Sequence, residues 1–209
     1  MHWNVLDKKR RALLPHFAAW KKDGFYLAGG TALALQIGHR TSMDFDFYSR
    51  RAFNPLAQAD KLKLPPGRLK ITTQNEGTLL ALAQGIQVSA FHYPYRLLAP
   101  LITTREMRLA ALPDLAAMKL LAIAQRGKRR DFVDLYFLCK LFSLQEILNF
   151  TGKKFPTFDV YNGLRGLIFF EDAEHEKARL GVTPRIKISW SAVKRFFINE
   201  VHFCMRSLE

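Results

Sequence analysis

Residues 43–48, MDFDFY, leave the chain little choice of local conformation. Met43, Phe45 and Phe47 alternate with Asp44, Asp46 and Tyr48, a period of two that a β-strand satisfies and a helix does not. Two residues along a strand advance about 6.6 Å, so the carboxylates of Asp44 and Asp46 leave one face as neighbours. Like charges so placed repel unless a cation lies between or beside them. Oxygen-only ligands of this kind suit Mg²⁺, which retains several waters and takes one or two carboxylates together with substrate phosphates. The same pattern also describes the solvent face of a half-buried strand, where acids are permitted though depleted. The strand by itself does not choose between the two.

The preceding residues narrow the choice. FYLA, residues 25–28, reads as a short buried strand, and Thr31 to Ile37 as a helix stopped near Gly38. Gly29 and Gly30 join them. A glycine pair there lets the backbone approach a ligand closely, and the helix N-terminus offers free N–H groups to a phosphate, with the Thr31 hydroxyl beside them. A tight connection also needs glycine for geometry alone. Followed by paired acids, the turn points to a phosphate-bearing substrate held with a divalent cation.

The formal charge of +14 fits that reading. The excess is clustered, at Lys8 to Arg11, at Lys21 and Lys22, and at Arg126 with Lys128 to Arg130. It suits a polyanionic partner such as nucleic acid or nucleotide phosphates, or else forms a solvated basic surface. No apolar run approaches the roughly 18 residues needed to span a bilayer, and no secretory pattern opens the chain. A cytoplasmic protein without a membrane partner is expected. Cys139 and Cys204 read as buried thiols rather than a disulfide, and two cysteines build no cysteine-based metal site. The histidines are scattered without ligand spacing, and neither a nucleophile elbow nor a G-x-x-x-x-G-K-[ST] loop is present.

Hydrophobic residues make up 49% of the 209, enough to bury a real core. Leu6, Leu13, Leu14, Phe17 and Trp20 suggest a helix over 5–22, stopped at Gly24. A short helix is expected at 54–61. After Pro65-Pro66-Gly67 come strands at 68–74, 78–83 and 86–92, with turns at Asn75-Glu76-Gly77 and Gly85. Beyond Pro100 the pattern becomes helical, at 113–125, 130–142, 144–150, 158–170 and 190–206. The expected fold is α/β, a mixed-sheet core over 1–100 followed by a helical domain over 101–209.

With thirteen residues between Gly30 and Asp44, the run GGTALAL…GHRTSMDFDFYS resembles the DNA polymerase β-type nucleotidyltransferases. In that superfamily a glycine pair is followed, after a helix, by Asp-apolar-Asp-apolar on a strand. The run is more closely similar to the AbiEii/AbiGii-type toxin nucleotidyltransferases, Arg40 ahead of the acids included. LAAMKLLAIAQRGKRRDFVDLYFL, residues 115–138, resembles the lysine-then-aspartate block of that family's helical half. From the residues alone, Lys119 reads as a phosphate-reaching or a snorkelling lysine. Asp131 and Asp134 read as one-face partners or as first-turn acids favouring the helix dipole.

The resemblance implies Mg²⁺-dependent transfer of a nucleotide from an NTP to an acceptor. Asp44 and Asp46 would be catalytic and hold the metal, and Asp131 would orient or deprotonate the acceptor hydroxyl. Gly29, Gly30, Thr31, Arg40 and Lys119 would bind the nucleotide. RNA as acceptor and an antitoxin protein as partner follow from the same resemblance. One departure stands out. Many of these enzymes carry a third carboxylate on a later strand, and in GIQVSAFHYPY the shared face of Gln87, Ser89 and Phe91 has no acid. Either Asp131 supplies it, or the chain is a catalytically silent nucleotide- or RNA-binding module on the same fold.

Overall fold

The computed structural model describes residues 1–176 and 182–206. The chain divides into two units, Met1–Ala111 with Gly181–Thr183, and Leu112–Leu180 with Pro184–Glu209.

The first unit opens with a 3₁₀ turn, Trp3–Val5, then α1 (Lys8–Leu13), a second 3₁₀ turn over Leu14–Phe17, and α2 (Ala18–Lys22). The single helix expected over 5–22 is broken because Pro15 lacks an N–H and sits in the 3₁₀ turn. Leu13, Leu14, Phe17 and Trp20 are buried all the same. A mixed sheet follows, built from β1 (Tyr26–Leu27), β2 (Phe45–Ser49), β3 (Leu69–Asn75), β4 (Thr78–Ala83), β5 (Ile86–His92), β6 (Ile102–Thr103) and β7 (Arg108–Leu109). Its order is β3-β4-β5-β2-β1-β7-β6. β3, β4 and β5 form an antiparallel meander, β5 runs parallel to β2, and β2 runs antiparallel to β1. Two helices complete the unit, α3 (Gly29–Ile37) between β1 and β2, and α4 (Pro55–Asp60) after β2.

The alternation of MDFDFY fixes the register of the central strand. Phe45 and Phe47 are buried, and their rings lie 4.9 and 4.7 Å from that of Phe17. Trp20 meets Phe47 edge-on at 5.0 Å. Each buried phenylalanine contributes about 1.5–3 kcal/mol. A slip of one residue would drive Asp46 into this cluster, so the acid is held on the opposite face. The unit extends past residue 100 because β6 and β7 add to the β1 edge, Leu27 pairing with Leu109.

The second unit is helical, with α5 (Leu112–Arg126), α6 (Arg129–Leu138), α7 (Leu144–Lys154), α8 (Val160–Ile168), α9 (Glu171–Glu174) and α10 (Trp190–Arg206). A reciprocal Ser143–Glu146 capping box starts α7, and Asp159 caps α8. Gly166 of α8 lies where a Cβ would come within 3.1 Å of the Ala124 Cα, so these helices meet at backbone distance. Among the described residues no helix is long and apolar enough to cross a membrane. Cys139 and Cys204 are free thiols, as the sequence suggests.

Candidate active site

The end of β1 and the start of β2 meet where the glycines lie. Ala28 N donates to the Asp46 carbonyl at 2.9 Å, and the chain then turns through Gly29 at φ +64°. A Cβ at Gly29 would stand 3.3 Å from Asp46 Oδ2. Glycine is therefore favoured twice here, by the left-handed backbone and by the approach to the carboxylate. α3 begins at this glycine, and no side chain caps it at Ala28. Its first N–H groups have no intrahelical partner, and the positive end of its dipole lies beside Asp46.

The loop leading into β2 is held from several directions. His39, Arg40 and Ser42 are buried within it. Thr31 Oγ1 lies 2.7 Å from Ser42 Oγ and donates to the Asp44 carbonyl. Arg10 Nε donates to the Met43 carbonyl at 2.7 Å, and Ser42 N to the Val5 carbonyl at 3.2 Å. Arg40 Nη1 donates to the Thr41 carbonyl at 3.1 Å. Thr41 N donates to the Thr183 carbonyl at 2.9 Å, and Thr183 N returns a bond to Thr41 Oγ1 at 2.7 Å. The Thr31 hydroxyl is thus spent on the acid-bearing loop. β2 starts at Phe45, so Asp44 precedes the strand rather than lying within it.

Asp44 and Asp46 are both half-buried. Across the parallel pairing Asp46 stands opposite Ser89, which is buried. The neighbouring strand position therefore carries a hydroxyl and no third carboxylate.

The family model for the nucleotidyl transferase AbiEii toxin of type IV toxin–antitoxin systems matches residues 13–185. The chain belongs to this family. It is 38% identical over 188 residues to an uncharacterized protein of Aquifex aeolicus (strain VF5), covering 86% of this chain and 87% of that one. Its fold is similar to that of MenT4, a nucleotidyltransferase toxin of Mycobacterium tuberculosis H37Rv, with a TM-score of 0.59 at 15% identity over 93% of this chain and 82% of that one. A Helicobacter pylori protein assigned to the nucleotidyltransferases gives a TM-score of 0.55 at 18% identity over 98% and 99% of the two chains. At these identities the structural likeness is one of fold.

An AbiEii-family nucleotidyltransferase implies an NTP donor and a divalent metal. The first unit's acids fit such an ion on their chemistry, with the Asp46 carboxylate beside the N-terminus of α3 and Asp44 two residues before it. Among the described residues no cluster of three or more His, Cys, Asp or Glu could hold a metal, so further ligands would come from water and substrate phosphate.

The second unit gathers the other family residues. Lys119 Nζ lies 2.6 Å from Asp131 Oδ1 and 2.7 Å from Asp134 Oδ2, with both carboxylates fully buried. Arg126 Nε adds a contact to Asp131 Oδ2 at 3.0 Å. Two cations and two anions form a neutral group, which makes their burial tolerable. Burial alone would raise the Asp131 carboxyl, but Lys119 and Arg126 outweigh it and hold the group below the usual carboxylate range. A carboxylate so engaged is a weaker proton acceptor than a free one. An ammonium has three N–H donors, so Lys119 keeps one beyond those facing the two acids.

A second buried pair in this unit has no local sequence signal. Lys154 Nζ meets Asp114 Oδ1 at 2.7 Å across a separation of 40 residues. In the sequence Asp114 is a first-turn acid and Lys154 one more cation of a basic chain. Ser42 and Ser89, beside the acids, were likewise without a motif of their own.

Proposed function

We propose that this chain is a Mg²⁺-dependent nucleotidyltransferase that moves a nucleotide from an NTP to RNA in the cytoplasm, as the toxin of a toxin–antitoxin pair. The observation that carries the reading is the approach of Gly29 to the Asp46 carboxylate at the start of α3. A carboxylate beside helix N-terminal N–H groups suits a substrate that is both polyanionic and metal-bound.

In transfer, an acceptor hydroxyl oxygen bonds to the α-phosphorus as its proton passes to solvent water, the α–β phosphoanhydride bond breaks, and pyrophosphate leaves with its electron pair. The N–H groups of Gly29, Gly30 and Thr31 hold phosphate oxygens and orient the donor. Asp44 and Asp46 would hold Mg²⁺, which supplies charge neutralisation at the phosphates. Arg40 and the Thr31 hydroxyl keep the loop that presents the acids. Lys119 contacts the nucleotide, a reading supported by the resemblance of its block to the family, with Asp131 as the positioning residue that fixes it. The depressed Asp131 carboxyl favours this orienting role over that of a base.

RNA is supported by the charge of +14. The toxin role, and with it an antitoxin partner, rests on the family description and on the likeness to MenT4. The test supplies each α-labelled NTP in turn with total RNA and Mg²⁺ to the wild type and to Asp46→Ala. Label in RNA from the wild type alone, lost on chelation and restored by Mg²⁺, is the expected result. No label from any NTP, with the protein folded, would leave a silent binding module in its place.

A further inference from the structure

β1 and β2 run antiparallel, so the pair has two ends, and only one carries Gly29 and the acids. At the other end, where β1 enters at Tyr26 and β2 leaves at Ser49, the first unit holds a cleft of about 760 Å³. Its wall carries five cations, Lys22, Arg50, Arg51, Lys61 and Arg108, and a single acid, Asp23. Asp23 pairs with Lys61 at 2.8 Å. Among the described residues the other four cations have no carboxylate partner. A concave wall of one sign focuses its field and is stabilised by an anion.

The arginines are presented by a built turn. Ser49 Oγ donates to the Arg51 carbonyl at 2.8 Å and accepts from Arg51 N at 3.1 Å. Gln58, only 3% exposed, also lines the cleft, and its Nε2 has no hydrogen-bond partner among the described residues. The Gln58 backbone carbonyl accepts from Trp20 Nε1 at 2.8 Å. A buried amide donor left unmet costs about 1–3 kcal/mol. The Phe53 ring, held edge-on by Phe25 at 5.0 Å, gives the wall a flat apolar surface.

We propose that this cleft is a second, non-catalytic site for a nucleotide unit, with phosphoryl oxygens on Arg50, Arg51 and Arg108 and the base against Phe53. The volume falls in the range of small-molecule pockets, roughly 300–1,000 Å³, which admits one nucleotide. From Asp46 to Ser49 the strand advances about 10 Å, so an occupant here lies outside bonding reach of the Asp46 carboxylate. The unit arrives either as a free NTP or as part of a single strand. The site does not depend on the transfer reaction, and its test does not read transfer.

Fluorescence anisotropy with the full chain supplies the test, using a labelled ATP analogue and a labelled 12-nucleotide RNA as separate probes. The variants are Arg50→Ala/Arg51→Ala, Arg108→Gln, and Lys70→Ala/Lys153→Ala as a control that removes equal charge from exposed positions outside the cleft and the basic clusters. All are measured in the wild type and in Asp46→Asn, with melting curves to confirm folding. We expect each cleft variant to weaken at least one probe tenfold or more, in both backgrounds, while the control stays within threefold. Weakening of RNA alone assigns the strand, of the ATP analogue alone the free nucleotide, and of both a site that accepts either. For RNA, the double variant also lowers the salt slope by about 1.4, at roughly 0.7 per phosphate contact. Cleft variants within twofold of wild type for both probes, or a control that loses as much, would overturn the site.

Discussion

Replacing Gly29 by alanine separates two demands that one glycine meets. The residue sits at φ +64°, where an L-residue costs about 1–2 kcal/mol. Its new Cβ would also stand 3.3 Å from Asp46 Oδ2, close enough that the carboxylate must shift by a few tenths of an ångström. Gly67 isolates the first demand, since its φ is +72° and an added Cβ meets nothing within 4 Å. Gly29→Ala and Gly67→Ala should therefore lose similar stability, with roughly 2–4 °C in Tm for each kcal/mol. Only Gly29→Ala should lose activity. A misplacement of about 1 Å costs on the order of 100-fold, so a few tenths should cost roughly three- to tenfold in kcat/KM. The assay is labelled-NTP transfer well below both melting temperatures. Equal transfer rates for the two variants would refute the claim that the approach of Gly29 to Asp46 is part of the reactive geometry.

Other outcomes follow from the buried charges and the thiols. The Asp131 carboxyl is depressed in the folded chain, so its stabilisation is full above its unfolded pKa of about 4 and disappears as pH falls through the lower folded value. Urea unfolding at pH 7, 4 and 3 should show that loss in the wild type, and Asp131→Asn should flatten it while costing about 3–5 kcal/mol at pH 7. Lys154→Ala removes the cation beside the buried Asp114 carboxylate and should cost about 3–5 kcal/mol, whereas Asp114→Leu/Lys154→Met should recover most of it; a double variant as unstable as the single one would contradict this. Burial, with Glu200 nearby, pushes the Cys139 thiol up to about 12, so alkylation of the native protein at pH 8 should be slow at this residue and become fast in denaturant, as read by mass spectrometry.

What could be read from the sequence was what neighbouring residues encode together. The Phe45/Asp46/Phe47 alternation and the Gly29-Gly30 turn needed no distant partner to be recognised, and they mark the centre of the sheet. β6 and β7, two residues each, are too short to show a period, so their addition to the β1 edge beyond residue 100 left no sequence signal. Pro15 broke a helix whose apolar spacing was otherwise sound. The contact of Lys119 with Asp131 was hidden for a different reason. Lys119 lies 12 residues away, across the Gly127 break, where helical spacing rules no longer say which side chains meet. Thr31 was legible as a hydroxyl beside a phosphate-type turn, but not as a donor to the backbone of Asp44.

The clasp between Thr41 and Thr183 has a consequence in time. Its partners are separated by 142 residues, yet both belong to the first unit and close on the loop that carries the acids. At about 5–20 residues per second, a ribosome needs roughly 7–28 s to travel from one to the other. Through that interval the sheet can assemble while the loop lacks its last two backbone ties. A nascent chain thus acquires its fully braced acids only after the helical segment between the two threonines has been made.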